Sequence, residues 1–348
     1  MKALFTSDVT KLIVYVVCCF ALAAVLTPWL YNAGMFLAEF TDAGTANPAL
    51  DWLGEKARRA DFATFFKRAL LLSALLLLAP LILSLRVSRK PASLQQSPWS
   101  VYLPEHSIAH HDGQPLRNPR SGWLQALTGF ILAAGLLFAM GYFLVLLGWF
   151  YWEQPFDWKM GLRKSVPPAI FASLLEEIIF RGALLGIFLR TFRPGMAIVL
   201  LSLLFAALHF LQPPDDLVVA NPEGNLAGFE LLVLIAQRFT LPLPLLYEFA
   251  SLTAVGLILG YARYATASLW LPIGLHAGWV FAFKLFNRLA DRDPDLDDRY
   301  NLLIGRDLKE GLIPLATLAI TALLVFLFVR ILRQSPSHPD PGMPVATP

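Results

Sequence analysis

The chain has 348 residues, 57% of them apolar, a mean hydropathy of +0.59 and a formal net charge of +3. Soluble domains run at about 45 to 50% apolar, and several apolar runs here reach the ~20 residues that cross a bilayer, so a single soluble domain is excluded. The small charge and the lack of a basic stripe with interleaved aromatics point to no nucleic-acid partner. Cys18 and Cys19 are adjacent inside an apolar run, which suits neither a structural disulfide nor a zinc site.

The first apolar run, Leu12 to about Phe36, is too long for a signal-peptide core and is read as a retained span. The stretch 51–62 alternates charges with Trp52, Leu53 and Phe62, the pattern of a helix lying in the headgroup layer. A second span follows from about Phe65 to Leu85. The polar stretch 86–121, with His106, His110 and His111, reads as a solvated loop rather than a metal site. Trp123 to about Phe150 is a third span with aromatic belts at Trp123 and at Trp149, Tyr151 and Trp152. The fourth span runs from about Val166 to Arg190 and the fifth from Met196 to Leu211, joined by a short break. A polar loop (213–228) and a short surface helix (229–240) precede a sixth span, Pro242 to about Tyr261, and a seventh, about Ala267 to Phe286. A charged segment (287–310), an eighth span from Gly311 to Leu332 and a proline-rich, disordered tail close the chain. Lys and Arg divide almost evenly between the two sides, so the positive-inside rule assigns no orientation.

The expected fold is therefore an all-α polytopic membrane protein of about eight transmembrane helices with a buried polar pocket. Residues 1–122 form the N-terminal spans with their interfacial helix and loop, 123–332 the core, and 333–348 the tail.

The fourth span contains Glu176, Glu177 and Arg181. A charge at a helix centre costs roughly 2.5 to 3.5 kcal/mol on insertion scales, so these three must face protein or water. Glu177 and Arg181 stand at the i, i+4 spacing of an ion pair, which a purely structural role would explain. Glu176, about 100° round the helix, is left for chemistry. Glu176 lies about 16 residues before the expected turn near Phe192 and Arg193, and His209 about 16 after it, so a helical hairpin brings both to one depth. His276 sits mid-way along the seventh span. Gly182 and Gly186, four apart, are expected to admit a neighbouring backbone.

A carboxylate withdrawn from water holds a proton more readily, which suits a general base taking a proton from water, and histidines can position that water or the oxyanion it creates. Glu176, His209 and His276 could equally bind zinc. Against zinc, the neighbours Ala206, Ala207, Leu208, Leu275, Ala277 and Gly278 offer no polar side chain to orient either histidine.

At these residues the chain resembles the CPBP, or Rce1-like, family of CAAX-type intramembrane proteases, whose pattern is E-E-x-x-x-R, F-x-x-x-H and H-x-x-x-N or an aliphatic residue. The matches are Glu176, Glu177 and Arg181, then Phe205 and His209, then His276 with Val280. The resemblance implies an Rce1-like bundle and an endopeptidase in which Glu176 activates water, His209 and His276 complete the site, and Glu177, Arg181, Phe205 and Val280 support it. It implies a protein or peptide substrate, lipidated or membrane-anchored, and a place in the bacterial inner membrane, and it leaves metal dependence open; the apolar neighbours of the histidines favour a base mechanism with no obligatory metal, zinc on Glu176, His209 and His276 being the alternative. Val280, where many members have asparagine, is the departure. Other intramembrane protease classes fit poorly: there is no H-E-x-x-H, no apolar-flanked G-x-S-x-G and no aspartate within the spans. Two non-proteolytic readings compete, a membrane scaffold or chaperone using the same polar network, and a proton-coupled transporter.

Overall fold

The computed structural model describes residues 7–45, 47–85, 110–111, 114–115, 122–211, 217–238 and 243–334. The helices in chain order are α1 (Asp8–Phe40), α2 (Pro48–Arg58), α3 (Phe62–Ser84), α4 (Gly122–Leu146) and α5 (Trp158–Glu177). α5 runs on through a π-helical turn (Ile178–Leu184) into α6 (Leu185–Leu189). Then come α7 (Pro194–Phe210), α8 (Ala227–Arg238), α9 (Leu243–Thr266), α10 (Trp270–Leu289) and α11 (Leu312–Gln334). The histidine-rich stretch lies outside the described residues, save a two-residue antiparallel ladder of 110–111 with 114–115.

Among the described residues, five helices are long and apolar enough to cross a membrane: α1, α3, α4, the 245–266 part of α9 and the 312–332 part of α11. The protein is thus an integral, multi-pass membrane protein. The other three expected spans are helices, but α7 has only 17 residues, the fourth is broken by the π-turn, and α10 carries His276, Lys284 and Arg288. The count of eight spans therefore rests on helices whose own hydropathy does not establish crossing.

Local sequence explains the ends. Ser7 Oγ accepts from Thr10 N, and the Asp61 side chain accepts from Thr64 N, so each fills the first turn of its helix with a side-chain acceptor. That cap makes Phe62 the first residue of α3 rather than the last of an interfacial helix; α2 stops at Arg58 and packs on α1 through Gly54 and Ala57. The helix expected on the surface, α8, instead buries Leu231 and Ile235 against Ala23, Ala24, Phe62 and Phe66 of α1 and α3. Trp149, Tyr151 and Trp152 lie beyond the end of the helix rather than on it. α4 stops at Leu146, and Phe150–Trp152 (β1) pairs antiparallel with Ala290–Arg292 (β2), Trp152 opposite Ala290.

The main core lies between α4, α9, α10 and α11, around Leu144, Leu259, Leu271, Leu275 and Phe286. Glycine sets its closest approach. A Cβ at Gly278 would lie 2.6 Å from Phe130 O, and one at Gly274 would overlap the Ala126 carbonyl, so α10 rests directly on the backbone of α4. A second seam joins α9 to α7: a Cβ at Gly256 would meet Ser202 Cβ at 2.8 Å and one at Gly260 would meet Ile198 Cγ2 at 2.9 Å. The expectation for Gly182 is not met. A Cβ there would find Leu269 Cδ1 at 3.6 Å, an ordinary contact. A separate cluster joins Val9 and Leu12 of α1 to Phe180, the α6 residues Leu185 and Phe188, and Phe205, tying the α1/α3 pair to the helices of the polar centre.

Candidate active site

α5 is amphipathic inside out. Its buried residues are Gly161, Ser165, Ala169, Ser173 and Glu177, each four apart, so one stripe of small or polar side chains faces α10. The opposite face, Val166, Ile170, Leu174 and Ile178 with Phe171, Leu175 and Ile179, is exposed and aliphatic or aromatic. Such a helix suits a bilayer, where apolar atoms face the lipid and polar ones face protein. Glu176 falls at the boundary of the two faces, its side chain 27% exposed.

Glu177 lies at the bottom of the polar stripe and is fully buried. Its Oε1 accepts from Arg181 Nη1 at 2.9 Å and from His276 Nδ1 at 2.8 Å. Arg181, 1% exposed, also donates from Nη2 to Gly256 O at 3.3 Å. Its guanidinium stands 4.7 Å from the Phe205 ring centroid and 5.7 Å from that of Phe180, so two aromatic faces replace part of the water it has lost.

The two histidines are each oriented through Nδ1. His276 donates to Glu177, and His209 Nδ1 lies 2.9 Å from the carbonyl oxygen of Phe205, which only accepts, so that nitrogen carries the proton. In a neutral imidazole this leaves a lone pair on each Nε2. Both Nε2 atoms converge on Glu176 Oε2, His209 at 3.7 Å and His276 at 3.8 Å. These separations exceed a hydrogen bond, and a water seated beside the three atoms would reach all of them. Glu176 Oε2 is buried and has no protein hydrogen-bond partner. His276 is 7% exposed and His209 29%, so the centre opens on the side of α7 and Glu176. Phe205 packs beneath both rings, its centroid 4.4 Å from His209 and 6.2 Å from His276.

The structure thus brings Glu176, Glu177, Arg181, Phe205, His209 and His276 into one cluster. Val280, one turn beyond His276 on α10, is half-buried and offers no polar atom. The sequence neighbours of the two histidines offer no polar side chain, and both rings are oriented all the same. One acceptor is a backbone carbonyl four residues back along α7, invisible to a search for polar side chains, and the other is Glu177 on a different helix. The residues that sequence reading missed are Phe180, the Gly256 carbonyl and Arg263, whose Nε donates to Arg181 O at 3.2 Å. Ending the sixth span at Tyr261 placed Arg263 outside it, although Ala262, Tyr264 and Ala265 continue the apolar pattern to Thr266.

In kind, two imidazole lone pairs and a carboxylate suit zinc. In arrangement, no set of three or more His, Cys, Asp and Glu side chains among the described residues is placed to hold a metal ion.

Residues 158–282, which contain the whole cluster, match the family model described as Type II CAAX prenyl endopeptidase Rce1-like. No curated protein and no solved structure matches the chain.

Proposed function

We propose that the protein is an intramembrane endopeptidase that hydrolyses a peptide bond of a lipidated or membrane-anchored substrate, with its protease core in residues 123–332. The observation that carries this reading is the approach of both Nε2 atoms to Glu176 Oε2, a buried oxygen with no protein hydrogen-bond partner, within a stretch that matches an Rce1-like family model.

In this mechanism a water between these atoms gives a hydrogen bond to His209 Nε2 and its proton to Glu176. The hydroxide so formed attacks the scissile carbonyl. Stabilising the resulting oxyanion needs a donor, and that role falls to His276 Nε2, which donates when the ring carries a second proton, its Nδ1–H facing the Glu177 carboxylate. Glu176 then passes its proton to the departing amine, the C–N bond breaks, and the new carboxylic acid gives its proton to the amine, so the products are a carboxylate and an ammonium group. Glu177 and Arg181 keep His276 in register rather than reacting. No step here passes through a metal; zinc on Glu176, His209 and His276 would supply activated water by another route. Val280 contributes shape only.

The test is peptide cleavage by purified protein in lipid, before and after metal stripping. The proposed reaction survives stripping and is lost in Glu176→Gln at normal yield. Loss on stripping with recovery on stoichiometric zinc would replace the base mechanism. A wild-type protein that accumulates and cleaves no membrane-anchored peptide would instead support the scaffold reading, for which the buried Glu177–Arg181–His276 network is sufficient architecture.

A further inference from the structure

The helix that carries both carboxylates does not continue as an α-helix past them. From Ile178 to Leu184 it is π-helical, and the N–H of Leu185 bonds Phe180 O, five residues back. It therefore passes over the carbonyl of Arg181, which it would take in an α-helix. Nothing in the segment Ile-Ile-Phe-Arg-Gly-Ala-Leu favours the wider turn by itself, and such turns persist where their surroundings hold them, frequently at functional sites.

The surroundings are on α9. Arg263, buried one turn short of the helix end, donates Nε–H to that same Arg181 carbonyl at 3.2 Å. Seven residues earlier on α9, Gly256 O accepts from the Arg181 side chain. One helix thus holds Arg181 by both its main chain and its side chain, while Gly256 and Gly260 press that helix against α7. A π-turn amounts to about one extra residue, so undoing it rotates everything before it by roughly 100° relative to everything after it. α6 is buried throughout in the core with α1 and α7 and is held there. The rotation would fall on Glu176 and Glu177, turning Glu177 away from His276 Nδ1.

We infer that Arg263 is a positioning residue for the active site: by donating to the Arg181 carbonyl it holds the π-turn, and through that turn it sets the angle at which Glu176 and Glu177 meet the two histidines. The inference rests on the proposed hydrolysis for its activity readout but not for its structural one.

The experiment compares Arg263→Met, which keeps length and loses the donor, with Arg263→Lys, which keeps a cationic donor. Folded yield, kcat and KM on a membrane-anchored peptide, and nitrogen-15 imidazole spectra of histidine-labelled protein in lipid are measured for each. The expected result for Arg263→Met is a fall in kcat on the order of 10²-fold, the loss that about 1 Å of misplacement produces. KM stays within about 2-fold, because uniform binding is untouched. The His276 Nδ1–H signal shifts, and Arg263→Lys restores most of both. Arg263→Met with unchanged imidazole spectra overturns the inference whatever its activity. So does failure of both variants to accumulate, which would make the residue purely architectural. If wild-type protein cleaves no peptide, the proposed hydrolysis fails, and the imidazole spectra still decide the role of Arg263.

Discussion

The five long apolar helices and the three helices that carry the polar centre are held by different means. α1, α3 and α11 present most of their aliphatic side chains outward, with Ile13, Leu75 and Leu323 all more than half exposed, and their buried sides are ordinary apolar packing. α5 turns a stripe of polar and small residues inward, the Glu177–His276 hydrogen bond joins it to α10, and glycine seams set α10 against α4 and α7 against α9. The difference shows how a bilayer protein can carry three charges: they sit on α5 and its π-turn, which packs on α10 and is tied to the long apolar helix α9 through Arg181. The apolar set makes the boundary and the polar set is fixed to it at a few contacts.

The comparison breaks most sharply at Glu176. Glu176→Gln leaves the packing alone and removes the base, so activity should fall by about 10²- to 10⁴-fold while the protein accumulates normally; retained cleavage would remove Glu176 from the chemistry. Next is Arg181→Ala. Taking one member from a buried pair costs about 3 to 5 kcal/mol because the other charge is left uncompensated, so folded yield and thermal midpoint should both drop. A yield loss of the same size in Glu176→Gln would mean that the whole cluster is architectural. Gly278→Ala addresses the seam. A methyl placed 2.6 Å from Phe130 O must push α10 off α4, at a cost of roughly 1 to 3 kcal/mol, and it should disturb His276 before His209. Equal perturbation of the two imidazoles would show that α10 is not located by its glycines. The smallest effect belongs to the other set: Leu75→Ala, on an exposed face of α3, should change stability by under about 0.5 kcal/mol and leave cleavage intact.

The features that lie within one helix or one hairpin could be read from the chain. Glu177 and Arg181 are four apart on the same helix, and Glu176 and His209 are equally far from one turn, so counting residues was enough to pair them. What depends on three-dimensional choice could not be read. Four glycine pairs stand four apart, at 182/186, 224/228, 256/260 and 274/278, and spacing does not say which glycines meet a neighbouring helix; Gly228, Gly256, Gly260, Gly274 and Gly278 do, while Gly182 makes an ordinary contact. Leu146 to Trp152 is as apolar as the helix before it, and only pairing with residues 290–292 makes part of it a strand. The π-turn has no periodicity signal because the helix on either side of it is regular. Hydropathy also misjudged α8, whose apolar face pointed to a surface and found α1 and α3.

The self-contained pairing of Glu177 with Arg181 matters in time as well as in space. The partners that complete the cluster come late in the chain: Gly256 follows Arg181 by 75 residues and His276 follows Glu177 by 99. At a synthesis rate of about 5 to 20 residues per second, the motif helix is made roughly 5 to 20 s before His276 exists. At the start of that interval the membrane or its insertion machinery holds a helix with two carboxylates and a guanidinium and none of their distant partners. An arginine one turn after a glutamate lets those two charges enter as a neutral pair, and leaves Glu176 alone to wait for α7 and α10.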